Sequence, residues 1–416
     1  MTGLSSRERM LRALACRRVD HVPCCFMLLH TLDEWCRGER DLIATQLDWG
    51  LDPLVVLPSW SLTSPADPLD LRGYQFDYPQ KVNQTLRGLP VHSHPDVRIR
   101  KWVERAEGQR YPVLHREYFT PGGTLDVAAN QTADWPYGDR MPFVDDFIIA
   151  RARKNLVTTT EDLRALQYLL LPPDQEAVDH FRAASRANRQ LAEERGLLRV
   201  YQWGVLADMA AWLCGLQELI FLAVDQPDLV TELFHMIAVW NLARMRVVLD
   251  EGVDLWVRRG WYEGCDFWSP RLYRQFILPH LKQEVDTAHE RGVKFGYILT
   301  AGAMPLLDMI LEAGVDAWIG LDPVQGNADL RAVKEKARGR LCLWGGVNGS
   351  LTVEAGTADQ IRNAVRHALE VLSPEGGFIL SPVDGIYDAS ERTQRNVRVF
   401  VDAWKEWRGM ACVRRI

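Results

Sequence analysis

The sequence predicts an α/β fold of the (β/α)8 TIM-barrel type, with a β-rich subdomain inserted after the second strand. Three observations carry this. Apolar runs of strand length alternate with amphipathic stretches, the pattern of βα units in a parallel sheet. Eight such runs lie between residues 24 and 384. In the C-terminal third each run ends in small or polar residues: Thr300-Ala301-Gly302, Asp322-Pro323, Asn348-Gly349 and Asp384-Gly385. In a βα-barrel the carboxyl ends of the strands build the active site.

The elements follow in order. Ser5 or Ser6 caps a helix over 7–19, whose basic end suits the helix dipole. Residues 20–23 (DHVP) turn into the first strand, CCFMLL at 24–29. His30 follows at the catalytic end, as an acid, base or anion binder, or as a hydrogen-bonded loop histidine. A helix over 42–50 leads to the second strand, 54–58. Residues 61–150 then break the βα repeat. They are rich in Pro, Gly, Asp and Tyr, and VRIRKWV (97–103) and VLHREYF (113–119) alternate as antiparallel strands do. This insertion is either a lid, offering His115, Arg116, Tyr118 and Trp135 to a substrate, or a subunit interface.

Two helices, 159–170 and Gln175–Arg195, precede the third strand, 198–203, which ends in Trp203. An apolar helix begins near Asp208, and a second one spans 228–250. The fourth strand, 253–258, runs into RRGWYEGCDFWSP. That loop places Arg258, Arg259, Trp261, Glu263 and Cys265 at the catalytic end. The two arginines suit a substrate carboxylate, which a guanidinium binds bidentately; the alternative is an ion pair with Glu263. Ser269-Pro270 opens the next helix, Pro279-His280 interrupts it, and His289 sits at its C-terminal end as a dipole partner. The last four strands are 293–299, 317–322, 341–348 and 377–384. Asp322, Asn348 and Asp384 at their ends are candidates for chemistry, or caps of the helices that follow.

The totals bound the rest. A chain of 416 residues fits one barrel with insertions. Net charge is −6 and no basic stripe appears, which argues against nucleic acid. The eight cysteines show no CxxC pair, so reduced thiols and a cytoplasmic location are expected. No run suggests a signal peptide or membrane span. Fifteen tryptophans leave several to line a pocket or an interface.

The C-terminal half carries a family resemblance. Residues 319–369 (IGLDPVQGNADLRAVKEKARGRLCLWGGVNGSLTVEAGTADQIRNAVRHAL), with GGFILSPVDGI and ERTQRNVRVFVDAWKE, resemble the uroporphyrinogen decarboxylase superfamily; so does the opening SSRERMLRALACRRVDHVP. The resemblance implies the barrel, a homodimer, and one of two chemistries. In the transferase branch, His-x-Cys-Gly after the fifth strand and a Cys after the eighth hold zinc, which stabilises a thiolate. Here the matching residues are Leu299-Thr300-Ala301-Gly302 and Asp384. The usual ligands are absent and no cofactor is expected; zinc would need another set, such as Cys265, His30 and Asp384.

The decarboxylase branch needs only positioned acids and carboxylate-binding arginines. Asp384 stands where that branch has a histidine, and could protonate a carbanion-like carbon if burial raises its pKa. The branch's arginine-rich first loop is replaced by TLDEWCRGER, so a carboxylated substrate smaller than a porphyrin is expected. The expected site has Arg258 or Arg259 as clamp and Trp203, Trp261 and Trp344 as walls. Asp384 is the acid or base, assisted by His30, Tyr297 or Tyr387. Decarboxylation leads. Methyl transfer to a thiol or to a corrinoid protein partner is the alternative, and a non-catalytic binding barrel the third.

Overall fold

A computed structural model describes residues 3–26, 36–58, 88–89, 91–135, 138–139, 141–144 and 151–409. The described strands, in chain order, are β1 (Leu54–Val56), β2 (Arg98–Glu104), β3 (Val113–Thr120), β4 (Gly123–Asn130), β5 (Ala152–Lys154), β6 (Leu198–Gly204), β7 (Leu255–Arg259), β8 (Lys294–Ile298), β9 (Ala317–Leu321), β10 (Cys342–Asn348) and β11 (Phe378–Val383).

Seven of them form one parallel sheet in the order β1-β6-β7-β8-β9-β10-β11. Their residues explain this. β7, β9, β10 and β11 are buried at every position, as strands covered on both faces must be. The inner layer comprises Leu198, Val200, Leu255, Val257, Ile298, Ile319, Trp344 and Ile379. Met10, Ala13 and Leu14, from the helix Ser6–Leu14, join that layer. This helix therefore covers the end where the strands begin and leaves their carboxyl ends open. The helices Pro227–Asp250, Leu278–Glu290 and Ala358–Leu372 pack over the outer faces.

Of the expected first strand, 24–29, only residues 24–26 are described. Cys24 makes a single parallel bridge to Leu380, and residues 27–29 lie outside the described ones. Around it, Cys25 N–H donates to Leu380 O at 3.0 Å and Leu380 N–H to Pro23 O at 3.0 Å. On the other side Asp52 N–H donates to Cys24 O at 2.8 Å, just before β1. The segment thus touches both ends of the sheet order.

The insertion holds a separate antiparallel sheet, β2-β3-β4-β5. β2 and β3 fall where the alternation placed them. β4 was not foreseen, because GTLDVAAN has little of the β-branched and aromatic content that marks a strand. The turn between β3 and β4 is Pro121-Gly122. A Cβ at Gly122 would lie 2.1 Å from Arg164 O, so only glycine fits there. Among the described residues no single helix is long and apolar enough to cross a membrane.

Arg9 ties this arrangement together. It donates to Asp52 at 2.6 Å and to Asp20 at 2.7 and 3.0 Å, while Asp52 accepts from Cys24 N–H at 3.2 Å. Asp52 is fully buried, so losing Arg9 strands its charge. Arg9→Met is expected to cost about 3–5 kcal/mol in urea unfolding. A loss below about 1 kcal/mol, the scale of a surface pair, would show that the segment is held some other way.

Candidate active site

Side chains alternate across each strand, and this parity decides what reaches the open end. Ile298, Ile319 and Trp344 face inward, whereas Trp256 and Tyr297 belong to the outer layer. The inward residues form the floor of a cleft. Trp261, Thr300, Ser381, Pro382, Val383 and Asp384 line the rest, around about 350 Å³ that includes space open to solvent. Trp344 is fixed by donating Nε1–H to Cys25 O at 3.2 Å. A shift in the β9–β10 register between Trp344 and Gly345 shapes the wall. Gly345 has φ +139°, and a Cβ on it would lie 2.7 Å from Leu321 O.

Among the described residues of that lining Asp384 is the one titratable side chain. It stands at the exposed mouth, in left-handed backbone with φ 69°. Asparagine and aspartate tolerate this region better than other residues, but it still costs energy, and such outliers gather at functional sites. Burial of the carboxyl against the apolar wall pushes its pKa up to about 6, and the charge of Asp322 adds to the shift. Tyr387 is close by. Its hydroxyl is pushed up to about 12 by burial and by the charges of Asp384 and Glu354.

Asp322 and Asn348 hold loops. Asn348 Nδ2–H donates to Asp322 at 2.8 Å and to Gln325 at 2.7 Å, and its Oδ1 accepts from Leu351 N–H at 2.7 Å. Asp322 also accepts from Val324 N–H at 2.8 Å. Asn348 caps the helical turn Gly349–Glu354, whereas Asp322 holds its loop and the helix Leu330–Ala337 is capped by Asp329.

The arginine clamp needs correction. Arg258 is fully buried on the outer side of the sheet. It donates to both oxygens of Glu263 at 2.7 and 2.8 Å and to Glu284 at 3.2 Å. Glu263 further accepts from Tyr297 O–H at 2.6 Å and from Ala207 N–H at 3.1 Å. Arg259 donates to Asp208 at 2.6 Å, and its guanidinium lies 5.0 Å from the Trp261 ring centroid. Both arginines are thus engaged by the protein's own carboxylates, and neither lines the cleft. Glu263 and Tyr297, expected in the site, belong to this buried cluster. Asp208 and Glu284 were missed, because nothing in sequence shows that residues 51 and 26 positions away meet these arginines.

The remaining candidates are scattered. His115 lies on β3, stacked on Trp102 with ring centroids 4.6 Å apart, and its Nε2 is 3.1 Å from Glu104. It is not part of the cleft lining. Arg116, Tyr118 and Trp135 are buried within the inserted region. His30 and the side chain of Trp203 lie outside what is described.

Of the positions that match the usual zinc ligands, Leu299 and Ala301 offer no donor, and Asp384 offers a carboxylate. Leu299 is fully buried, Ala301 carries only a methyl group, and Thr300 turns to the cleft. Cys265 approaches this loop, its N–H donating to Gly302 O at 2.9 Å, but burial and Asp266 raise its thiol pKa. Among the described residues no three His, Cys, Asp or Glu side chains are grouped to hold a metal ion. Leu299 and Ala301 do not fit zinc, and His30 of the alternative set lies outside the described residues.

The family profile of uroporphyrinogen decarboxylase (URO-D) matches residues 154–407. The chain belongs to the URO-D family. Among solved structures, a methyltransferase from Methanosarcina mazei aligns over 97% of this URO-D chain and 99% of its own. The TM-score is 0.58 and the identity 16%, so the two share a fold. A 3-keto-D-glucoside 4-epimerase from E. coli aligns over 56% of this chain and 84% of its own, with TM-score 0.31 and 14% identity. No curated protein matches the chain.

The buried cluster makes a prediction about pH. Burial pushes Glu284 up to about 7, with Arg258 opposing and Glu263 adding to the rise. The ordinary value is 4.5. Between these two, the folded protein keeps a proton that the unfolded chain has released. This contribution to stability is full below about 4.5 and is lost as pH rises through about 7. Glu284→Gln, which mimics the protonated form, is expected to flatten the fall in urea stability from pH 5 to 8 by up to ~1.4 kcal/mol per pH unit. An unchanged slope would mean that Glu284 is ionised throughout.

Proposed function

We propose that this URO-D-family protein is a methyltransferase with its site in the Trp344–Asp384 cleft. It moves a methyl group from a small substrate to a nucleophilic acceptor, a thiol or a corrinoid carried by a partner. We further read the parallel sheet as an eight-stranded barrel closed by residues 23–25.

The observation that carries the reading is the cleft's charge. Among the described residues its lining holds the half-buried Trp261 and one carboxyl group, Asp384, with no Lys, Arg or His. A substrate carboxylate, which decarboxylation requires, would find no cation among these residues and would meet Asp384. The full-length likeness to a methyltransferase fold supports the same choice.

In transfer, the bond from the methyl carbon to a substrate heteroatom breaks and its electron pair stays on the heteroatom. A lone pair of the acceptor forms the new bond to carbon. The protein's share is to hold the methyl group in line, keep water off the floor, and place the Asp384 charge beside the substrate. Decarboxylation is the second reading, favoured by the raised pKa of Asp384. There the protonated carboxyl would deliver its proton to the carbon that lost carbon dioxide.

The two readings require opposite protonation states of Asp384. Methyl transfer that uses the ionised form should rise with pH through about 6 and level off above it. Decarboxylation that uses the acid form should fall over the same range. In both, Asp384→Asn is expected to lower turnover at least ~100-fold while leaving the thermal midpoint near wild type. Undiminished turnover in that variant would remove Asp384 from the mechanism.

A further inference from the structure

The inserted sheet has two edge strands, β5 and β2, and they are built differently. β5 covers three residues, and the β4–β5 register slips between Ala128 and Ala129. Short strands and bulges keep a sheet edge from pairing with other chains. β2 has neither safeguard. It runs for seven residues without Gly or Pro, and it pairs with β3 position for position, from Arg98–Phe119 to Glu104–Val113. Among the described residues β3 is its one neighbouring strand. Alternate residues of such an edge turn their N–H and C=O groups outward. Most of its side chains are exposed. Trp102 keeps 40% of its surface open, as does Phe119 on the same face of β3.

We propose that β2 is the contact between two copies of this chain, pairing antiparallel with its own counterpart about a two-fold axis at Lys101. The two four-stranded sheets then join into one of eight strands. The contact belongs to the inserted region, not to residues 154–407 that match the family profile.

The strand's own sequence favours this occupant and this register. RIRKWVE carries Arg98 at one end and Glu104 at the other. Antiparallel pairing of the segment with itself sets Arg98 beside the partner's Glu104, twice per dimer. It also sets Ile99 beside the partner's Val103, and Arg100 beside the partner's Trp102. Directly opposed residues share a face, so the outward row of one copy meets the outward row of the other. The Arg98 guanidinium donates to the carbonyls of Pro95 at 2.9 Å and Val97 at 3.0 Å, and among the described residues it has no carboxylate partner. Glu104 accepts from Gln109 at 3.2 Å and lies 3.1 Å from His115, with its side chain about half exposed. Registers displaced by two residues are worse. One sets Arg100 against its own copy, and the other carries Arg98 and Ile99 past the end of the partner strand. Lys101 meets its own copy at the axis, and that like-charge contact holds the affinity down. A single strand is also a small interface, so the dimer is weak, with Kd on the order of 10 μM.

Sedimentation velocity on the full chain tests this. Wild type is expected to pass from monomer to dimer between about 1 and 100 μM. Arg98→Glu and Glu104→Arg each turn two attractions into repulsions, and each is expected to weaken self-association at least about tenfold. The decisive sample is an equimolar mixture of the two variants. There both end contacts pair opposite charges again, and association should return to within about threefold of wild type. Carrying both changes on one chain should do the same, and serves if either single variant folds poorly. Wild type that stays monomeric at about 100 μM, variants that associate as well as wild type, or a mixture that stays monomeric overturns the proposal.

Discussion

The buried pairing of Arg258 with Glu263 and Glu284 is the constraint on which the site depends. Both Glu263 oxygens are taken by Arg258, and they are shared further with Tyr297 and the backbone of Ala207. This one carboxylate therefore joins β7, β8, the loop after β7 and the helix Ala207–Cys214. A desolvated charge on this scale survives only where its partners are fixed, and removing one of them leaves the other stranded. The cluster consequently fixes the loop that presents Trp261 to the cleft. Arg259 repeats the device on the neighbouring side with Asp208, whose carboxyl burial and Glu263 push upward.

Because these arginines are consumed internally, neither adds positive charge to the described part of the cleft. Among the described lining residues Asp384 is the one charged group, held in a backbone region that most residues avoid. Its raised pKa comes from burial of the carboxyl and from the charge of Asp322, which follows β9 on the other side of β10. The electrostatic character of the cleft is thus set one layer away, where positive charge is neutralised before it can reach a ligand.

Much of this was legible in the chain. The parallel strands were marked by their continuous apolar runs, and the catalytic end by the polar residues that stop them. Asp384 and Trp261 were singled out because they follow strand ends, and Trp344 as an apolar wall; all three line the cleft. Parity would have removed Tyr297: with Ile298 facing inward, its neighbour must face the helices. The partners of Arg258 and Arg259 could not be read, since ion pairs between distant segments leave no local pattern. Strand β4 escaped because its composition is weak and its pairing comes from the Pro121-Gly122 turn.

Zinc content is the measurement closest to the centre of this picture, in which Leu299 and Ala301 leave the cleft to work through charge and aromatic faces alone. The chain would be purified without chelators or affinity metal and analysed for the element. Sub-stoichiometric zinc, unchanged in Asp384→Ala, is the predicted result. One zinc per chain, lost in Asp384→Ala, would contradict it and return the site to metal-bound thiolate chemistry.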